Sequence, residues 1–162
     1  MRHLILLRHA KAESVSSSGR DFDRALTARG HRDAAIMGRA LAQAGFTPQR
    51  VLASSARRAQ ETWEGAAPSF PGAQVESLRT LYLAPAEFLD QTAQAIADVG
   101  SLMIVGHNPG LHDFAIALAG GEAEGLLASF PTAAAVVFAK PDDGPFQLVR
   151  VLTPRDHGGG SL

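Results

Sequence analysis

Three short groups of residues in this chain could do chemistry on an anion. Arg8 and His9 follow the aliphatic run Leu4-Ile5-Leu6-Leu7, Arg57 and Arg58 follow Arg50-Val51-Leu52-Ala53-Ser54, and His107 follows Ser101-Leu102-Met103-Ile104-Val105-Gly106. A guanidinium offers paired donors in a fixed fork, so it holds a phosphate through parallel charge-assisted hydrogen bonds better than the point charge of a lysine does. A neutral imidazole can attack phosphorus as a nucleophile. Arginine forks and imidazoles on one rim would therefore bind a phosphoryl group and react with it. Singly, each is also a residue type that ends a strand in solvent or caps a helix. What sets them apart is that all three groups follow strand-like runs.

The elements that must position them follow from periodicity. The unbroken aliphatics at 4–7 and 101–105 read as strands buried on both faces, as in a parallel sheet. In open α/β sheets, ligands bind beyond the carboxyl ends of such strands, so adjacent strands would bring the groups together. Residues 11–24 are polar, with Ser14, Ser16, Ser17, Ser18 and Gly19 breaking any period; they are expected to form a mobile loop over the anion site. Thr27 is a candidate N-cap for a helix through Ile36, Met37, Ala40, Leu41 and Ala44 that stops at Gly45. A strand at 50–54 leads into a helix from Ala56 to about Ala66, closed by Pro68 and Pro71. Residues 75–78 suit a further strand. Pro85 opens a helix with Phe88, Leu89, Thr92, Ala93 and Ile96 on its apolar face, ended by Gly100. Pro109 suits the first turn of a helix through Leu111, Phe114, Ala115 and Leu118, which stops at Gly120-Gly121. Strands at 133–139 and 146–152, joined by Lys140-Pro141-Asp142-Asp143-Gly144-Pro145, suit a hairpin. Gly158-Gly159-Gly160 is expected to fray. Alternating strands and helices point to an α/β chain, a three-layer α/β/α sandwich around a mixed, mostly parallel sheet, with one domain over 1–162.

Composition narrows the partners. With 15 Lys and Arg against 16 Asp and Glu, the net charge is -1, so bulk electrostatics favours neither nucleic acid nor an anionic membrane surface. Anion recognition must be local. The 162 residues, 46% hydrophobic, suffice for a real core. There is no Cys, which excludes a thiol nucleophile and thiolate metal sites and makes a reducing cytoplasm the expected compartment. Met1-Arg2-His3 leads straight into the first strand, with no signal-peptide pattern and no apolar run of membrane-spanning length. No Gly-rich nucleotide loop supports a nucleotide cofactor. His107 and His112 are five apart, not the four that places two ligands on one helical face, so a metal is not expected either. His3, His31 and His157 read as surface residues.

The motifs make a pattern: Arg8-His9-Ala10 after a strand, Leu26-Thr27-Ala28-Arg29-Gly30, Ser54 followed by Arg58-Ala59-Gln60-Glu61-Thr62, and Val105-Gly106-His107-Asn108-Pro109. In this order and spacing the chain resembles the histidine phosphatases, the phosphoglycerate mutase-like superfamily. Its length, Arg-His-Ala triplet and His-Asn-Pro-Gly turn look most like the SixA-type branch, associated with phosphohistidine. The resemblance implies a phosphoglycerate mutase-like fold and selects Arg58 over Arg57. It makes His9 the phospho-acceptor, with Arg8, Arg58 and His107 binding the phosphoryl group. Arg24 is a candidate further contact, with a helix-flanking surface position as the competing reading.

Larger branches of the family carry an acidic proton donor after the third strand. Here that stretch offers Glu76, inside a strand, and Glu87, in a first helical turn where the helix dipole favours a carboxylate anyway. Neither matches the mutase motif. Glu87 is thus the candidate donor, with capping as its alternative role, and a mutase is disfavoured. The expected activity is metal-independent and cofactor-free: hydrolysis through a covalent phosphohistidine on His9, acting on phosphohistidine of a carrier or signalling protein. The alternatives are a small phosphate ester as substrate, or a phosphoprotein-binding module of low turnover.

Overall fold

A computed structural model of the chain describes residues 1–123, 125 and 128–160. Six strands form one sheet: β1 (His3–Arg8), β2 (Arg50–Ser54), β3 (Gln74–Leu78), β4 (Ser101–Gly106), β5 (Ala135–Ala139) and β6 (Gln147–Leu152). Their order is β3-β2-β4-β1-β5-β6. β1 to β4 run parallel, while β5 and β6 pair antiparallel.

Side chains alternate along β1, which explains its unbroken aliphatic run. Ile5 and Leu7 join one core with Met37, Leu41 and Trp63; Leu4 and Leu6 join the other with Leu89, Leu111 and Phe114. The first core lies under helices α1 (Ala28–Gln43) and α2 (Arg57–Ala66), the second under α3 (Ala86–Ala95) and α4 (Gly110–Ala119). Both faces are covered, giving the expected three-layer α/β/α sandwich with a mixed sheet. Full burial of each β1 aliphatic contributes about 1.5–3 kcal/mol, so the centre of the sheet is the stiff part of the scaffold. β3 is one exposed edge, paired in parallel with β2 and bridged to it at the surface by Arg50 Nη2 and Glu76 Oε2 at 3.2 Å. No helix of the described residues is long and apolar enough to cross a membrane.

Sheet order determines where a ligand can sit. The chain leaves β1 for helices on one face and leaves β4 for a helix on the other, and β4 lies between β2 and β1. That divergence is the switch point at which α/β sheets open a crevice. His9 and His107 both stand there, with the His9 N–H donating to the Gly106 carbonyl at 3.1 Å.

The local signals explain how the loops close on this point. Thr27 caps α1, its Oγ1 accepting from the Gly30 N–H at 3.0 Å. A Cβ on Gly30 would collide with the Lys11 carbonyl oxygen, and one on Gly110 with that of Ala84. Glycine is required at both because the segments after β1 and before α3 press directly onto helix starts.

Several boundaries and two segments differ from the sequence reading. α4 begins at Gly110 with Pro109 just outside it, β5 begins at Ala135 and β6 at Gln147. Residues 11–24 carry their own structure. Ala12 bridges Leu26, Asp21–Asp23 form a 3-10 turn, Ser16 Oγ donates to the Arg20 carbonyl at 2.7 Å, and Ser18 Oγ to Asp23 Oδ2 at 2.6 Å. Two of the serines that broke the period, Ser16 and Ser18, thus satisfy local acceptors. The glycine tail is tied down as well: Gly160 N–H donates to Oδ1 of the fully buried Asp33 at 3.0 Å, and Gly159 N–H to the Pro154 carbonyl at 2.7 Å.

Candidate active site

His9 leaves β1 almost wholly buried, 7% exposed. Its Nδ1 lies 2.8 Å from the Ala10 carbonyl oxygen. A carbonyl can only accept, so Nδ1 carries the hydrogen and Nε2 keeps its lone pair. The strand exit is held by α2, because Thr62 Oγ1 accepts from the Ala10 N–H at 2.9 Å and donates to the Arg58 carbonyl at 2.7 Å.

Arg8 reaches across to the Phe130 carbonyl with Nη1 at 3.0 Å, an acceptor it shares with Asn108 Nδ2 at 2.9 Å. In the first turn of α2, Arg58 is buried and Arg57 exposed. Successive helical residues point about 100° apart, and here that step puts Arg57 on the solvent side of the buried Arg58. Arg57 turns to Glu61, Nε to Oε2 at 3.3 Å. Arg58 donates through Nη1 to the Asp21 carbonyl at 2.8 Å and through Nη2 to Asp21 Oδ2 at 3.0 Å. His107, 3% exposed, sets Nε2 against Ser54 Oγ at 2.7 Å. Its ring lies 5.3 Å from that of His9, centroid to centroid.

Three nitrogens on the residues surrounding His9 are buried without a partner: Arg8 Nε, Arg58 Nε and His107 Nδ1. Buried polar groups are normally paired, and orphans ask for an explanation.

Two members of this cluster, Asp21 and Tyr82, escaped the sequence reading. Tyr82 donates its hydroxyl to Asp21 Oδ2, and its ring stands edge-on to His107 at 5.5 Å. Phe22 packs edge-on to Tyr82 at 4.9 Å and lies under the Arg79 guanidinium at 4.4 Å. Arg24 is spent on the same loop, donating through Nε to Asp21 Oδ1 at 2.9 Å and through Nη1 to the Glu13 carbonyl at 2.7 Å. The available signal was Asp21-Phe22-Asp23, two acids and an aromatic between Arg20 and Arg24 in an otherwise serine-rich stretch. Glu87 is exposed on the first turn of α3. The rings of His112 and Phe130 meet edge-on at 6.2 Å. Among the described residues, no three His, Asp or Glu side chains gather as metal ligands would.

Electrostatics sets the protonation states. Burial first, then the charges of Arg58, Arg8 and Arg24, pushes His9 down to about 4. Burial, His9 and Arg58 push His107 down to about 3. Both imidazoles are neutral at pH 7. The hydrogen bonds from Tyr82, Arg58 and Arg24 hold the Asp21 carboxyl well below the usual carboxylate range. Tyr82 moves the other way, raised by burial and by Asp21. The cluster thus combines two neutral imidazoles, two cations and an ionised carboxylate.

Comparison with known proteins places the chain in a family. Residues 4–82 match the model of the histidine phosphatase superfamily (branch 1). The crystal structure of the putative phosphohistidine phosphatase SixA from Agrobacterium tumefaciens superposes with a TM-score of 0.86 at 30% identity, covering 94% of this chain and 98% of that one. The protein histidine phosphatase SixA complexed with tungstate shares the fold at a TM-score of 0.83 and 22% identity, over 95% and 98% of the two chains. An uncharacterized chloroplastic protein of Arabidopsis thaliana is 31% identical over 94% of this chain and 78% of its own length.

Proposed function

Because the chain belongs to the histidine phosphatase superfamily, we propose that it hydrolyses phosphoryl groups in two steps through a covalent phosphohistidine on His9. The phosphoryl oxygens bind Arg8 Nε, Arg58 Nε and His107 Nδ1, and His9 Nε2 attacks phosphorus from within that cup. A P–N bond forms as the bond to the leaving group breaks. Water then attacks phospho-His9, releasing inorganic phosphate and restoring the neutral imidazole. Fixed donors aimed at the oxygens where charge develops stabilise both transition states without reorganisation. The observation that carries this reading is that Arg8, Arg58 and His107, all close enough to bear on a neutral His9, each keep one buried nitrogen without a partner. Arg24 acts indirectly, by holding Asp21.

The substrate we propose is phosphohistidine on a carrier or signalling protein in the cytoplasm. Two points favour it over an alkyl phosphate ester. The Agrobacterium relative is described as a putative phosphohistidine phosphatase. The carboxylate hydrogen-bonded to Arg58, that of Asp21, is held ionised and so has no proton for a basic leaving group. Positive charge comes from arginine side chains, so no metal is required.

The test is turnover of an aryl phosphate and of a phosphohistidine-bearing carrier protein by purified enzyme, with acid-labile label trapped on His9. His9→Ala is expected to abolish both trapping and turnover, and EDTA to leave turnover unchanged. Near-normal turnover by His9→Ala would overturn the mechanism; loss in EDTA restored by a divalent ion would overturn its metal independence.

A further inference from the structure

We propose that Ser54 is a positioning residue that fixes the tautomer of His107, so that the ring presents an N–H and not a lone pair to the phosphoryl group. The inference rests on the phosphoryl-binding reading of the pocket. Ser54 ends β2 and is fully buried. Its Oγ accepts from the Ala56 N–H at 3.3 Å and lies 2.7 Å from His107 Nε2.

A serine hydroxyl has one hydrogen and two lone pairs, so two arrangements compete. In the first, the hydroxyl donates to a bare Nε2 while a lone pair takes the Ala56 N–H; His107 then carries its hydrogen on Nδ1. In the second, Nε2–H and the Ala56 N–H both donate to Ser54, and the hydroxyl hydrogen finds no acceptor among the described residues. A donor buried unmade costs more than a made bond contributes. The second arrangement would also turn a bare Nδ1 lone pair toward an anion. The first satisfies every group except Nδ1–H, which is the orphan a phosphoryl oxygen would complete.

The neighbours leave Ser54 little freedom. Gln60 Nε2 donates to the Ser54 carbonyl at 2.6 Å, and Thr62 ties the next turn of α2 to the exit of β1. Ser54 and the Ala10 carbonyl thus do the same thing for the two rings: each takes one nitrogen and so decides what the other can do. For His9 the result is a free Nε2 lone pair for attack; for His107 it is a free Nδ1–H for binding.

Long-range 1H–15N correlation spectra of the uniformly 15N-labelled full chain read the tautomer directly. His107 is assigned by the signals lost in His107→Gln. The expected result for the ligand-free wild type at pH 7 is hydrogen on Nδ1 and a bare Nε2; hydrogen on Nε2 overturns the proposal. In Ser54→Ala the single tautomer should give way to a mixture or to the Nε2–H form. kcat on an aryl phosphate should then fall by about tenfold with KM little changed, less than the 10²–10³ seen when such a donor is deleted outright. An unchanged Nδ1–H tautomer in that variant overturns the proposal. If Ser54→Ala does not fold, the wild-type spectrum decides alone. Absence of turnover in wild type with the Nδ1–H tautomer present would sink the phosphatase reading and uphold the role of Ser54.

Discussion

Asp21 grips the outer edge of Arg58, its carboxylate 3.0 Å from Nη2 and its backbone carbonyl 2.8 Å from Nη1, which leaves Nε as the nitrogen without a partner. Two opposing effects follow from placing a carboxylate there. It orders the guanidinium, and it repels a phosphoryl anion. The Asp21 side chain is 46% exposed, so water and salt screen its charge, whereas the ordering depends on short directed bonds. Ordering should win. Asp21→Ala is expected to lower kcat/KM for an aryl phosphate by about tenfold, one lost positioning contact, and Asp21→Asn by less, since its amide oxygen still accepts. A rise in kcat/KM on removing the carboxylate would show that repulsion dominates.

The two imidazoles predict a pH dependence with a definite sign. Both are held below their unfolded value near 6.5, to about 4 for His9 and about 3 for His107. Activity should stay level from pH 7 down to about 5 and fall as pH drops through about 4, where His9 takes a proton on Nε2 and loses its lone pair. Stability follows linkage: between the folded and unfolded values the unfolded chain binds more protons, so the folded state loses stability as pH falls below about 6.5. For His9 alone the loss is on the order of 3 kcal/mol by pH 4. Thermal melts from pH 7 to pH 4 should show it, and His9→Gln should flatten part of the slope. An activity limb centred near 6.5 would mean the pocket does not desolvate His9.

Arg57 and Arg58 are adjacent in sequence and opposite in consequence. Arg58 lies buried beside His9, while Arg57 pairs with Glu61 at the surface. Arg58→Ala should cost about 10²–10³ in kcat, as deletion of a donor to developing charge does. Arg57→Ala should change kcat less than about twofold, because the Arg57 side chain lies at the surface and its ion-pair partner is Glu61, which keeps its bond from the Leu26 N–H. Steady-state kinetics of both variants on one aryl phosphate decides the point; comparable losses would place Arg57 in the site.

Where sequence legibility ended has a physical pattern. β1 and β4 were readable because the middle of a strand buried on both faces favours apolar side chains, so 4–7 and 102–105 are unbroken apolar runs. The α1 start was readable because Thr27 and Gly30 are each demanded locally, by a cap and by the Lys11 carbonyl. Choosing Arg58 over Arg57 needed the motif, since both are arginines and only the helix phase separates them. Asp21 and Tyr82 were not legible. They meet across 61 residues of sequence, and neither belongs to an apolar period or to the motifs that carry the resemblance. The glycine tail misled for the same reason: its order comes from Asp33 on α1, a partner 127 residues away.

The leaving group gives the sharpest test, because it turns on which acid the pocket lacks. Glu87 is exposed on α3, and Asp21, the carboxylate bonded to Arg58, is held ionised by three donors and has no proton to give. A sugar or alkyl phosphate leaves as a strongly basic alkoxide unless protonated, and general-acid help there contributes about 10²–10⁴ in rate. Phosphohistidine escapes that requirement. Its departing imidazole has a conjugate acid of pKa about 6.5, so it can take a proton from solvent and leave neutral. Phosphoramidates and aryl phosphates should therefore react far faster than alkyl phosphates, with the rate of His9 phosphorylation falling steeply as leaving-group pKa rises. Glu87→Gln should change phosphohistidine turnover by less than about twofold, as befits an exposed surface substitution. The measurement is single-turnover phosphorylation of His9 across monoesters of graded leaving-group pKa. A flat series, with alkyl phosphate turnover collapsing in Glu87→Gln, would show that Glu87 reaches the leaving oxygen after all and serves as the acid.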